Sequence, residues 1–527
     1  MEDFEIVLAA LFVAVAGLNA IARWLSVPYP IPLVLGGVVL GLLPGIPEIE
    51  LEPDLVLLIF LPPLLYAAAF FSDLRALRAD LRAISLASIG LVLLTIGLVA
   101  VVGHEAIGLS WPLAFALGAI VSPTDPVAAT AIMRQLGAPR RLVNVIEGES
   151  LVNDATALVA YRVAVAAAVG GSFSALDAGL EFVRSATGGI AIGLVVGFVV
   201  AAIRRRLDDA PTEITISLLT GYAAFIPADE LGLSGVLAAV TAGVYLGWQA
   251  PELITPQTRL QSTAVWEILV FILNATLFIL IGLQLPVITE GLDAYTTGEL
   301  VGYSALICAT VIGARFAYTF TMPYVIRALD RRPAQRERRM GARPRIVSAW
   351  AGMRGAVSLA AALALPVETH AGAPLPERDL ILFITFALIL VTVVGQGLTL
   401  PYLIRRLGVL EDGAEEEAEE MRARWTAARA ALGRLDELVV EDWTRDDTIE
   451  RVRGLYEFRQ RRVKVRTGKL DDDGIEDRSL AYQRLMHELY TVQRRAVVEL
   501  RNSGAISNDV MHRVERELDL EESRLEI

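Results

Sequence analysis

Apolar stretches near 20 residues long recur from residue 6 to residue 404 of this 527-residue chain. A helix needs roughly 20 apolar residues to cross a hydrocarbon core about 30 Å thick, so recurrence on this scale points to a polytopic membrane protein. Inside lipid the backbone must satisfy its own polar groups, and for runs of this length that means helices. The expected fold class is therefore all-α. Composition agrees, with 54% hydrophobic residues, 20% charged residues and a mean hydropathy of +0.52. Ordinary soluble domains carry about 25% charge.

The runs divide into thirteen expected spans at about 5–25, 31–45, 54–71, 83–104, 111–136, 149–170, 180–203, 212–227, 234–248, 263–285, 298–327, 345–366 and 379–404. Basic residues gather in cytoplasmic loops, which tests the count independently. With the N-terminus outside, the cytoplasmic loops hold Arg75, Arg78 and Arg82; Arg134, Arg140 and Arg141; Arg204, Arg205 and Arg206; and a dense basic cluster over 327–345. The outer loops, such as Gly103-His104-Glu105 and Asp229-Glu230, are neutral or acidic. This places the C-terminal tail in the cytoplasm and the body in the plasma (inner) membrane.

Charge is distributed unevenly. The formal net charge is −13, and nearly half of all charged residues follow Leu410. We therefore expect a membrane body over 1–410 and a charged cytoplasmic tail over 411–527. Within the tail, segments 411–439, 444–467 and 477–525 read as amphipathic helices, separated by turns near Thr467-Gly468 and at 471–474. The basic stretch 459–469 could touch anionic headgroups. The acidic balance argues against a nucleic-acid partner. The single cysteine, Cys308, excludes an internal disulfide framework. Four scattered histidines suggest no transition-metal site and no cofactor. The start Met1-Glu2-Asp3 lacks a basic n-region, so the first run is expected to be a span rather than a cleaved leader. No nucleophile–base arrangement suggests an enzyme.

Three segments carry polar groups at membrane depth, where an ionised carboxylate is expensive and usually functional. The first is Ser122-Pro123-Thr124-Asp125-Pro126 in the fifth span. Two prolines three apart remove two helix donors and should break the helix, freeing backbone dipoles for an ion. A plain proline kink is the blander reading. The second is Glu149-Ser150-Leu151-Val152-Asn153-Asp154. Helical spacing puts Ser150 and Asp154 on one face, with Glu149 and Asn153 on the adjoining stripe. Oxygens of Asp154, Ser150 and Thr124 suit a hard monovalent cation; Asp154 as a structural acceptor is the alternative. The third is Gly352-Met353-Arg354-Gly355 in the twelfth span, whose arginine needs an anionic partner. Glu149 is the expected partner, as a structural ion pair. Arg315 either orients the ion site or snorkels, Arg162 has no evident partner, and Glu267 and Asn274 read as helix-packing contacts, with ion ligands as the alternative.

Together the Thr124-Asp125-Pro126 break, the Glu149-Ser150-x-x-Asn153-Asp154 run and the Gly352-Met353-Arg354-Gly355 segment resemble the monovalent cation/proton antiporters of the Na+/H+ exchanger family, bacterial NhaP-like members included. The resemblance covers about residues 5–405. It implies a homodimer of thirteen-helix protomers with inverted repeats, in which spans five and twelve cross as discontinuous helices. It also implies that Asp154 binds the cation with Ser150 and Thr124, that Asn153 and Asp125 tune or brace the site, and that Glu149 pairs with Arg354. The Asn-Asp pair goes with electroneutral exchange in that family, serving pH and sodium homeostasis. One position departs: many relatives carry a carboxylate where this chain has Ala67.

Burial disfavours a charged carboxylate, so Asp154 is expected to hold either a proton or Na+. Two rivals follow from the same residues. One is K+ or Li+ in place of Na+. The other is a channel or membrane sensor signalling through the tail.

Overall fold

The computed structural model of the chain describes residues 2–25, 27–43, 53–72, 74–170, 175–289, 291–329, 340–369, 372–410, 414–467, 470–471, 474–523 and 525. These form two compact units, Met1–Glu411 and Asp412–Ile527. The central part of the basic cluster over 327–345 lies outside the described residues, as do parts of the tail's expected turns at 467–468 and 471–474.

The first unit is helical throughout. Its elements are α1 (Glu2–Leu25), α2 (Pro30–Gly41), α3 (Pro53–Phe70), α4 (Leu74–Val102), α5 (Trp111–Val121), α6 (Pro126–Gln135), α7 (Arg140–Gly170), α8 (Ala175–Arg204), α9 (Ala210–Glu230), α10 (Gly235–Leu253), α11 (Pro256–Leu283), the short α12 (Leu285–Thr289), α13 (Thr297–Leu329), α14 (Ala342–Trp350), α15 (Ala356–Leu363), α16 (Arg378–Leu390) and α17 (Gly397–Leu407). Single π turns follow α4 at Gly103–Ile107 and join α16 to α17 at Val391–Gln396. Among the described residues there is no strand, only an isolated bridge between Glu368 and Pro374.

Among the described residues, seven helical segments are long and apolar enough to cross a membrane by length and composition: Ser88–Ile107, Trp111–Gln135, Arg140–Gly170, Gly179–Arg204, Pro256–Thr289, Thr297–Val325 and Arg378–Leu407. Helices also overrun the apolar stretches at their charged ends. α4 begins at Leu74 rather than near 83, α7 at Arg140 rather than near 149, and α11 at Pro256 rather than near 263. Hydropathy marks where a helix leaves hydrocarbon, whereas the hydrogen-bond ladder runs on until a cap ends it. At α11 that cap is Thr255, whose hydroxyl accepts from the Thr258 amide at 3.3 Å.

Burial separates inner from outer helices. The Trp111–Gln135 window is 72% buried and the Gly179–Arg204 window only 28%. Outward-facing Leu180, Val183, Val195 and Phe198 on α8 form an apolar surface suited to lipid. The innermost layer centres on α5, where Leu113, Leu117 and Ile120 are fully enclosed by α4, α7 and α16.

The described residues of the second unit form four helices: α18 (Ala414–Leu438), α19 (Asp446–Arg466), α20 (Ile475–Asn502) and α21 (Asn508–Ser523). The expected third tail helix over 477–525 is therefore two helices. Gly504, at φ +77°, takes the left-handed conformation that ends α20 and that a side chain rarely adopts. The core of this unit is sparse, with Met421, Val463, Ile475, Tyr490, Met511 and Leu518 among its buried members. Ion pairs add to it: Arg462 and Arg466 grip Glu476 at 3.1 and 2.9 Å, and Arg453 meets Asp436 at 2.6 Å.

Candidate functional site

Both expected breaks are present, and they meet. α5 ends at Val121 and α6 begins at Pro126, leaving Pro123, Thr124 and Asp125 without helical structure. α14 ends at Trp350 and α15 begins at Ala356, with Gly352 to Gly355 unwound. Prolines explain the first break, since neither ring nitrogen can donate. The second has no proline. Its freed groups are held by the first break instead. The Asp125 amide donates to the Met353 carbonyl at 2.8 Å, joining the two unwound strands.

Arg354 supplies the matching positive charge. Its Nε donates to the Val121 carbonyl at 3.1 Å, its Nη1 donates to the Gly352 carbonyl, and its amide donates to the Thr392 hydroxyl at 3.1 Å. A guanidinium here satisfies the carbonyls at the C-terminal ends of two half-helices, where the helix dipole favours a cation. The expected Glu149–Arg354 ion pair is thereby corrected. Glu149 pairs with Arg315, at 2.5 Å from Nη1 to Oε1. Arg315 also donates from Nε and Nη2 to the Ser348 carbonyl, at 3.3 and 3.2 Å, which ties α13 to α7 and α14. The open choice for Arg315 resolves toward a buried structural cation, as its exposure is 2%. Gly352 makes room for it, because a Cβ there would collide with the Arg315 side chain.

On α7, Ser150 and Asn153 reach across to the first break. The Ser150 hydroxyl donates to the Thr124 carbonyl, and Asn153 Nδ2 donates to Thr124 Oγ1 at 2.6 Å. Asp125 caps α6, its Oδ1 accepting from the Val127 amide at 2.9 Å. Its other oxygen lies against Gly355, where any Cβ would overlap it. Asp125 is thus the N-cap of α6. Asp154 differs from all of these. It is buried, and among the described residues its Oδ1 has no hydrogen-bond partner; nor does Oδ1 of Asn153. An orphaned buried acceptor is costly unless something else meets it. An unmet carboxylate oxygen of this kind suits a cation or a proton.

Asp154, Ser150, Thr124 and Asp125 all line one cavity of about 450 Å³. Its wall also includes Ala67, Glu267 and Ser358, and its rim includes Arg134 and Glu147, paired at 2.6 Å. Ala67 contributes only a methyl group at the departing position. Ser358, three residues past Gly355, had no role assigned from sequence. It is buried, its hydroxyl has no partner among the described residues, and it sits in the first turn of α15. Arg162, without an evident partner in the sequence, pairs with Asp229 at the surface. Among the described residues no group of three or more His, Cys, Asp or Glu side chains is placed to hold a metal ion.

A helical membrane body with two broken helices joined beside an unpaired carboxylate has the form of a secondary transporter. The family profile described as sodium/hydrogen exchanger, transmembrane, matches residues 7–406, and the chain belongs to that family. An uncharacterised Na+/H+ exchanger of Mycobacterium tuberculosis is 37% identical, covering 99% of this chain and 96% of the relative. The Na+/H+ antiporter ApNhaP of Aphanothece halophytica is 32% identical, covering 97% and 95%. The sodium proton antiporter MjNhaP1 of Methanocaldococcus jannaschii, solved at pH 8, superposes with a TM-score of 0.60 at 19% identity, covering 77% of this chain and 99% of that one. That likeness shows a shared fold. The protein is a multi-pass membrane transporter of the exchanger type and not an enzyme.

Proposed function

We propose that the protein exchanges one Na+ for one H+ across the membrane, without net charge movement, through a single carboxylate. The observation that carries this reading is Asp154: buried, unpaired and open to the cavity where the two broken helices meet. A proton and a cation compete for its oxygens. When the carboxylate is charged it needs a counter-charge at this depth, and either Na+ or H+ supplies one. Asn153 is uncharged, so the occupied site carries the same net charge with either ligand. Exchange one for one then moves no charge.

Ser150 and Thr124 are the proposed co-ligands, with Asn153 and Asp125 fixing the unwound segment around them. Each of these side chains already makes one bond within the site, which holds its oxygen in place before the cation arrives. Pre-formed geometry of this kind lowers the ordering penalty of binding. Na+ is the preferred cation, in keeping with the sodium named for the family and for the relatives above; K+ and Li+ enter as arms of the experiment. A channel would need a continuous polar pore, whereas the polar groups here gather at the two breaks.

The same reading includes thirteen spans in inverted repeats, a homodimer, an outside N-terminus, a plasma-membrane location and a cytoplasmic helical tail over 411–527. It extends to a role in pH and sodium homeostasis. The basic loop residues and the neutral or acidic opposite loops support the orientation.

The test is proton flux in vesicles holding the purified full-length protein, with Na+, K+ and Li+ compared at several pH values. We expect Na+-driven flux that is unchanged when a membrane potential is imposed. Flux that scales with the potential would overturn electroneutrality, and equal flux with K+ would overturn the cation assignment.

A further inference from the structure

Glu267 stands on α11, eleven residues inside a helix that begins at Pro256. The apolar stretch starts near 263, so at 1.5 Å per residue Glu267 lies about 6 Å inside it, where a carboxylate still carries a cost. Its sequence reading as a packing contact is not what the structure shows. Glu267 is exposed, lines the cavity that leads to Asp154, and has no ion-pair or hydrogen-bond partner among the described residues.

Its neighbours along the helix give it a context. Thr263, Glu267, Val270 and Asn274 all line the cavity. Their spacing of four, three and four residues puts them on one helical face, so three polar side chains form a stripe up the cavity wall. The charge balance of the cavity is equally one-sided. Among the described lining residues Arg134 is the one basic side chain, and Glu147 neutralises it at 2.6 Å. Asp125, Asp154 and Glu267 remain as carboxylates with no opposing cation among those residues. A low-dielectric cleft of one charge sign concentrates counter-ions.

We infer that Glu267 is an entry ligand for the cation: a carboxylate on the cavity wall that draws Na+ in and passes it to Asp154, raising affinity without being the exchanged site. This rests on the exchange reading above and deepens it. Ala67 leaves the α3 side of the cavity without a charge, so the attraction comes from the α11 side. Glu267 never has to be neutralised for translocation, because it is exposed on the cavity wall whereas Asp154 is buried.

The experiment uses full-length protein carrying Glu267→Gln or Glu267→Asp. In vesicles, Glu267→Gln is expected to raise the KM for Na+ about three- to tenfold, the effect of one charge acting across a few ångströms of partly aqueous space, with the maximal rate within about twofold. Glu267→Asp should restore most of the affinity. Added choline chloride should weaken Na+ affinity more in the wild type than in Glu267→Gln, since screening acts on the charge that the variant lacks. A KM that does not move, or a fall in maximal rate with KM constant, overturns the inference. A second readout separates it from failure of the exchange reading. In purified protein, the Na+ concentration that half-saturates the thermal shift should rise in Glu267→Gln, and the shift should vanish in Asp154→Asn. That measurement decides the role of Glu267 even if no proton flux is found.

Discussion

Glu149 and Asp154 lie five residues apart on α7, both buried, and the structure treats them in opposite ways. Glu149 is closed off: Arg315 contacts it at 2.5 Å and is itself held by the Ser348 carbonyl. Asp154 is left open, with an unmet oxygen facing a cavity. The first arrangement holds three helices together. The second keeps a carboxylate available. The difference is the presence of a guanidinium, so burial alone does not mark an exchange site.

The largest expected effect tests the open half of that contrast. Asp154→Asn keeps the size of the side chain but can neither release a proton nor carry the countercharge for Na+. Na+-driven proton flux should fall to background while detergent-solubilised protein elutes and melts as wild type does. Retained flux would break the comparison at its centre.

The closed half is tested through stability. Arg315→Ala leaves Glu149 as a buried uncompensated charge, at about 3–5 kcal/mol, and should lower folded yield sharply. Arg354→Ala strips donors from the carbonyls of Val121 and Gly352, a smaller loss of about 1–3 kcal/mol. Thermal melts of the two variants should rank in that order. The reverse order would return Glu149 to Arg354 and undo the correction.

Asn153→Asp sharpens the contrast by placing a second carboxylate beside the first. If Asn153 keeps the charge count at one, this variant should make flux respond to an imposed membrane potential, where the parent does not. An unaltered response would assign electroneutrality to some other residue.

The smallest expected effect lies in the tail, where a surface carboxylate shows how little pairing achieves when solvent is near. Hydrogen bonds from Arg466, and then from Arg462, hold the Glu476 carboxyl below its ordinary value of 4.5. A carboxyl lowered by folding contributes stability above pH 4.5, and that contribution fades as the pH falls below it. Exposed pairs of this kind are worth about 1 kcal/mol or less. Hydrogen-exchange protection factors in α19 and α20 of the full-length protein, normalised to the intrinsic rate at each pH, should fall slightly below pH 4.5, and Glu476→Gln should remove that dependence.

Much of the site was legible in sequence because it rests on local rules. Pro123 and Pro126 break a helix wherever they occur, and Asp154 is costly at membrane depth whatever surrounds it. The four-residue step from Ser150 to Asp154 places them on one face of any helix. At Gly352 to Gly355 the glycines allowed either an opened backbone or a close helix contact, and only the family resemblance implied a break. Glu267 was misread because an acidic residue on a mostly apolar helix gives no sign of which way its face turns.

The sequence by itself therefore determined that this chain enters a membrane as helices, where the proline-marked helix breaks, and which carboxylate is costly at that depth. Only the tertiary structure decided which arginine answers which group. Glu149 and Arg315 are 166 positions apart, and Arg354 and Val121 are 233 apart. Hydropathy and helical periodicity act over a few turns of one element, whereas such pairings depend on how separate helices rotate and pack. The same packing turned Glu267 toward the cavity and left Asp154 without a partner.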